Sequence, residues 1–261
     1  MSNKNLLQKG VQSVEVAASV LSALGTCGGE ATLKWVAAET ALSPSRLHSY
    51  LVSLKRSGLV EQNGDTGLYR LGPLTRHIGL AAIDQLDQYD ILLSAAKTMR
   101  DVSGKTVCVS VWTHRGPMVA HWARGFEPLT LLIMNSGLAP PLLTTALGRV
   151  FLSYLPPSET EKLASEELAA LSGGEVFPRL QEPGAIEDLT SSIRSQGYAY
   201  TQSILTPYSS AIAAPITDSD GNLVAVLEVL GRGLEPNKQG TVLLTSQLIE
   251  FCDNIGERLI F

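Results

Sequence analysis

Residues 42–62 read LSPSRLHSYLVSLKRSGLVEQ, and their reading decides the fold of the N-terminal part of the chain. Ser43 suits a helix N-cap, and Pro44 has its φ pre-set for the first helical position. Leu47, Leu51 and Leu54 recur at i, i+4 and i+7 as one apolar stripe, and Gly58 stops the helix. Between them stand Ser45, Arg46, His48, Ser49, Tyr50, Ser53, Lys55 and Arg56, hydrogen-bond donors with no acid among them. Such a face fits a groove lined by phosphates.

Upstream, Val14, Ala17, Ala18, Leu21 and Leu24 follow helical spacing from Ser13 to about Leu24, and the CGG at 27–29 ends that run. A second helix is expected over Leu33–Thr40 with Leu33, Val36 and Ala37 inward, and a short turn at 41–43 leads into the quoted stretch. Two helices joined by a tight turn make a helix-turn-helix. Downstream, LVEQNGDTGLYRLG places Asn63, Gly64, Asp65 and Gly67 between two short apolar-alternating runs, the pattern of a β-hairpin and hence of a wing.

On that frame Ser45, Arg46, His48, Ser49 and Tyr50 are expected to face the major groove. Arg46 is the candidate for a base edge, because its planar fork can pair with guanine. Lys34, Lys55 and Arg56 are expected on phosphates, with Arg70 or Lys55 beside the wing. The competing reading makes the same face merely the solvated side of a helix.

Composition agrees with a DNA-binding head on a separate body. The 261 residues are 44% hydrophobic, and the mean hydropathy of +0.13 allows large cores and two domains. The net charge of −5 conceals a division: residues 1–76 sum to +3 and residues 77–261 to −8. No apolar run approaches the roughly 18 residues of a membrane span, and MSNKNLLQKG lacks the apolar core of a signal peptide. A cytoplasmic location and no membrane partner are the expectation. Cys27, Cys108 and Cys252 are far apart, which indicates neither a disulfide framework nor a zinc finger.

From Arg76 to about Ser103 the spacing is helical again, a linker helix ended by Gly104. Beyond it KTVCVSVWT and PMVAHW read as a hairpin around Arg115-Gly116-Pro117, followed by LTLLIM. Helices are expected near 145–155, 158–171 and 184–195, and then the strands YAYTQS, SSAIAAPI and NLVAVLEVL. Helices collected between antiparallel strands imply an α+β domain with one sheet. The chain thus divides into a DNA-binding domain at 1–75, a linker at 76–103 and a second domain at 104–261.

These pieces resemble an IclR-type transcriptional regulator along the whole chain. The resemblance is carried by VQSVEVAASVLSAL, the 42–62 helix, GLYRLGP, GLAPPLLTTALGRVFLSYL, and SQGYAY with AIAAPITDSDGNLVAVLEVLG, in order. It implies a two-domain α+β chain: an N-terminal winged helix-turn-helix, a linker helix, and a C-terminal GAF-like effector domain with a curved antiparallel sheet. It also implies operator DNA, a small-molecule effector such as a carboxylate or aromatic compound, and assembly as homodimers or dimers of dimers.

In the family the effector lies against the start of the helix after the mid-chain Gly/Pro segment, here TTALG at 144–148. Free N–H groups at a helix start favour an anion or an electron-rich oxygen, so Ala146 and Leu147 would contribute backbone. The other polar contacts do not carry over. Family members commonly place an acid at Thr201, a cysteine at Ala211 and serines at Glu228 and Leu230. Strand alternation still puts Ala211, Ala213 and Pro215 on one face, Val226, Glu228 and Leu230 on one face, and Ile212, Ala214 and Ile216 on the other side.

Two readings compete for Glu228. Lining the pocket, it would repel a carboxylate, carry a raised pKa, and favour a ligand with a hydroxyl, amide or amine between walls such as Leu129, Leu132 and Pro140. Alternatively it faces solvent at a strand end or pairs with an arginine such as Arg232. Thr201 and Ser209 offer hydroxyls. The pocket is therefore atypical for a simple carboxylate.

Other groups suggest chemistry more weakly. Cys108, His114 and His121 straddle the hairpin, but their spacing matches no compact metal motif, and no metal or cofactor is expected. Trp112, Tyr198, Tyr200 and Tyr208 can stack on an aromatic ligand, though strand aromatics more commonly serve the core. An enzyme using Cys108 or Ser209 with a histidine is the alternative of a different class. Against it, none of the four His lies after position 121, and no GxSxG or P-loop is present. A DNA-binding protein without a ligand is the third reading.

Overall fold

The computed structural model of the chain describes residues 10–84, 89–126, 139–171, 180, 182–202 and 209–259. It divides into two compact units, Met1–Asp87 and Gln88–Phe261.

The first unit holds helices α1 (Gln12–Thr26), α2 (Leu33–Thr40) and α3 (Pro44–Arg56), the hairpin strands β1 (Val60–Gln62) and β2 (Tyr69–Leu71), and helix α4 (Pro73–Asp84). Leu47, Leu51 and Leu54 of α3 are buried with Val20 and Leu24 of α1, Val36 of α2, and Val60 and Tyr69 of the hairpin. Burying each leucine is worth roughly 1.5–3 kcal/mol, so the stripe fixes which face of α3 turns outward. Pro44 occupies the first turn as expected, but the Ser43 side chain makes no capping hydrogen bond. Thr32 does cap its helix, accepting from the Trp35 N–H at 3.1 Å.

The α2–α3 turn is tight because Ala41 takes a left-handed conformation (φ 52°). Gly58 ends α3 with φ 78°. In the wing, the Asn63 side-chain oxygen accepts from the N–H groups of Asp65 and Thr66 at 2.9 and 3.2 Å, an Asx turn.

The second unit is a five-stranded antiparallel sheet of order β4-β3-β7-β6-β5. Its strands are β3 (Thr106–Thr113), β4 (Gly116–Ala123), β5 (Ala199–Gln202), β6 (Ser209–Thr217) and β7 (Leu223–Arg232). Helices α5 (Tyr89–Ser103) and α9 (Gln239–Gly256) take one face, where Leu92, Met99, Leu248 and Cys252 meet Ile212, Leu227 and Val229. Helices α6 (Ala146–Tyr154), α7 (Pro157–Leu171) and α8 (Ala185–Gln196) take the other, where Val150, Phe151 and Ile193 meet Cys108, Ala213 and Val226. The winged helix and the α+β second domain are as the sequence implies.

The described part of the expected 76–103 linker falls in two helices, one in each compact unit. Its first part belongs to α4, which starts at Pro73 and packs on the wing, the Thr75 hydroxyl donating to the Leu59 carbonyl at 2.6 Å. Its last part is α5, whose Leu92, Ala95, Ala96 and Met99 are buried under the sheet of the second unit. The first part leaves Leu74, Ile78 and Leu80 exposed, the last part is buried in the second unit's core, and the compact units divide at 87/88. The expected strand LTLLIM lies outside the described residues.

Candidate functional site

On α3 the three buried leucines set the geometry. At roughly 100° per residue, the side chains farthest from them are Ser45, Arg46, Ser49, Val52, Ser53 and Arg56. Five of these are donors, and all six are exposed. His48 and Lys55 stand on one flank, also exposed, and half-buried Tyr50 stands on the other. Lys34 projects from α2 into solvent. The structure thus brings Ser45, Arg46, His48, Ser49, Ser53, Lys55 and Arg56 onto the exposed surface of α3.

Two details alter the reading. Val52, 41% exposed amid the donors, is an apolar contact the sequence reading passed over; its signal was a β-branched residue opposite the leucine stripe. Ser49 and Ser53 donate to the helix carbonyls four residues earlier, at 3.3 and 3.2 Å. Their oxygens remain acceptors.

Around the wing, Lys55 donates to the Gln62 side chain at 2.8 Å. Arg70 pairs with Glu61 at 2.6 Å and with Glu30 at 3.2 Å, and Arg76 reaches Glu61 at 3.4 Å. Arg70, foremost, and Arg76 hold the Glu61 carboxyl below its usual range. Arg70 therefore braces the wing, with part of its fork engaged inside the unit.

In the second unit the register assembles the expected effector positions. One row across the sheet runs Thr201, Ala211, Leu230, Thr106, and the next runs Ala199, Ala213, Glu228, Cys108, Trp122. Both rows face the side covered by α6. Glu228 is 3% exposed, which overturns the solvent-facing and Arg232-paired alternatives; Arg232 is exposed at the end of β7. The Leu147 N–H donates to Glu228 Oε1 at 3.2 Å, and the Cys108 thiol donates to Oε2 at 3.5 Å.

Burial raises the Glu228 carboxyl from 4.5 to about 7, and the two hydrogen bonds only partly offset it. Burial, and then the neighbouring Glu228 charge, push the Cys108 thiol well up, so it is no activated nucleophile. Two amides at the start of α6 are taken from within: Gly148 donates to the Thr145 hydroxyl at 3.0 Å, and Leu147 donates to Glu228. A Cβ at Gly148 would run into the Pro141 carbonyl, so glycine lets the preceding turn lie on the helix. That turn is held by a second acid missed from sequence, Glu167 of α7, which accepts from the N–H groups of Leu142 and Leu143 at 2.8 and 2.9 Å.

Pro140, Thr201 and Ser209 are buried, and Leu230 is half-buried. Leu129, Leu132 and Tyr208 lie outside the described residues. Ser110, on the same side of the sheet as Cys108 and opposite Val226, is fully buried, and its hydroxyl is without a hydrogen-bond partner among the described residues. It lies close enough to the Cys108 thiol to oppose, as the smallest of the influences on it, the rise in that group's titration.

The candidate metal and aromatic sets disperse. His121 pairs opposite Val109, on the reverse face from Cys108, and His114 is exposed at the turn, so strand alternation separates the three. No group of His, Cys, Asp or Glu among the described residues is arranged to hold a metal. Trp112 packs on Phe151 with ring centroids 5.5 Å apart. Tyr198 and Tyr200 border a crevice of about 260 Å³ against α9, across the sheet from Glu228. No described helix is long and apolar enough to cross a membrane.

Two family models match the chain: the IclR helix-turn-helix domain over residues 13–64, and the bacterial transcriptional regulator IclR C-terminal domain over 81–257. The glycerol operon regulatory protein of Streptomyces coelicolor is 28% identical over 228 residues, covering 86% of each chain. The crystal structure of Pseudomonas aeruginosa HmgR is similar at 30% identity and a TM-score of 0.57, covering 95% of this chain and 98% of the other. An IclR homologue from Microbacterium hydrocarbonoxydans, complexed with 4-hydroxybenzoate, shares the fold at 18% identity and a TM-score of 0.70, over 93% and 98%.

Proposed function

Because this chain belongs to the IclR family of transcriptional regulators, with a DNA-binding helix-turn-helix and a C-terminal ligand-binding domain, we propose that it is a non-catalytic homodimer whose α3 reads operator DNA and whose second unit binds a small metabolite, aromatic or otherwise, that alters operator affinity. The single observation that carries this is the exposed donor surface of α3, backed by Leu47, Leu51 and Leu54 and flanked by the wing.

Arg46 meets a base edge, with Val52 against a thymine methyl. Lys34, Lys55 and Arg56 contact phosphates, and Ser45, His48, Ser49 and Tyr50 complete the groove surface. Arg70 orients the wing. Dimerisation is supported by Val11 and Val14 before and on α1, and by Ile78 and Leu80 on α4, which stay more than half exposed. The effector site is the α6 side of the sheet, around Pro140, Ala146, Leu147, Thr201, Ser209, Ala211, Glu228 and Leu230.

Selection of bound duplexes from a random DNA library by the purified chain tests this. An enriched inverted repeat, bound less tightly as salt rises, is expected. A pool that stays random through successive rounds would overturn it.

A further inference from the structure

The start of α6 already holds a carboxyl group, and the chain supplies it. Glu228 projects from the middle of β7 onto the Leu147 N–H, and its other oxygen meets the Cys108 thiol. The charged and titratable groups near it are few. Cys108 is on β3, and Arg149 is on α6 with its Nε donating to the Leu143 carbonyl at 2.8 Å; its β6 neighbour is Ala213. Among the described residues, no arginine or lysine acts on the Glu228 carboxyl. The same face carries the buried Ser110 hydroxyl, beside the Cys108 thiol and without a hydrogen-bond partner among the described residues.

We infer that Glu228 is the specificity-determining residue of the effector site: it takes the α6 amide that an anionic ligand would use, so the site refuses carboxylates and accepts a neutral or cationic molecule that donates a hydrogen bond to Glu228 and pairs with Ser110. This rests on the proposed effector site. A second carboxylate would meet an occupied N–H and, wherever Glu228 is ionised, a like charge in a low-dielectric core, both unfavourable. A hydroxyl, amide or ammonium meets an acceptor with lone pairs to spare.

The test removes the internal anion and offers its fragment back. Glu228→Ala excises a piece equivalent to acetate, and Glu228→Ser gives a second background in case the first folds poorly. Melting temperatures of the whole chain are compared in sodium acetate and in sodium chloride of equal ionic strength. Acetate is expected to raise the melting temperature of either variant by on the order of a few degrees, or to restore its folding, and to leave the wild type and Glu228→Gln unchanged. An equal response of the wild type to acetate, or variants that acetate neither stabilises nor refolds, would overturn the inference. Library selection on the wild type reads DNA binding separately, so either result can fail without the other.

Discussion

Replacing Glu228 by glutamine keeps the shape of the buried side chain and removes its ability to ionise, and the effect on stability has a sign set by pH. The folded chain holds this carboxyl at about 7, against 4.5 for the ordinary value. Between those values the unfolded chain has released the proton and the folded chain still binds it. Stability must then fall as pH rises through that window, and the full penalty persists above it. At about 1.4 kcal/mol per unit, the loss is roughly 3 kcal/mol. For a unit the size of Gln88–Phe261, that is roughly 6–12 °C in melting temperature.

Glutamine can still accept from the Leu147 N–H but carries no charge. At about pH 5 the two proteins should melt close together, since the wild-type carboxyl is then protonated in the core. At about pH 8 the variant should be the more stable by approximately the full difference. Thermal denaturation of both across that range, read as the difference between them, cancels every titration they share. Parallel profiles, or a variant that loses ground as pH rises, would refute the reasoning and mean that the ionised carboxylate is well compensated where it stands.

On the DNA side, Arg46→Ala should weaken binding to a selected operator by roughly 1–3 kcal/mol while random DNA is bound nearly as before; equal losses on both would make Arg46 a phosphate contact. Arg56→Ala should weaken specific and random DNA alike and lower the slope of affinity against salt, read in the same titrations. Leu51→Ala, which empties the centre of the winged-helix core, should cost roughly 2–5 kcal/mol in denaturant unfolding of the first unit. Glu167→Ala strips the partner from two amide groups ahead of α6 and should destabilise the second unit by roughly 1–3 kcal/mol.

Local chemistry made the head legible. Pro44, the leucine stripe, Gly58 and the Asn63 turn each act within a few residues, and the observed α2 has the expected bounds. Strand alternation was equally readable within β6 and β7, where Ala211 shares a face with Ala213 and Glu228 with Leu230 as expected; that these and Thr201 fall on one side of the sheet comes from the register. What alternation leaves out is the element lying above the face. The division of the 76–103 segment between two units was hidden for a related reason: a helical stripe does not say which core, if any, buries it.

The start of α6 shows what that limit means for function. TTALG at 144–148 offers helix-start amides whatever covers them, so the segment alone favours an anion without saying whose. Here a bond spanning 81 positions gives the Leu147 amide to Glu228. A reading that stopped at the segment would assign a carboxylate effector, and one that stopped at Glu228 would leave it exposed or paired with Arg232. Taken together, the two positions exchange their meanings: the amide already has an acceptor, the buried acid keeps lone pairs for a further donor, and on the inference drawn above the site turns from anions toward molecules that can give a proton or a positive charge to Glu228.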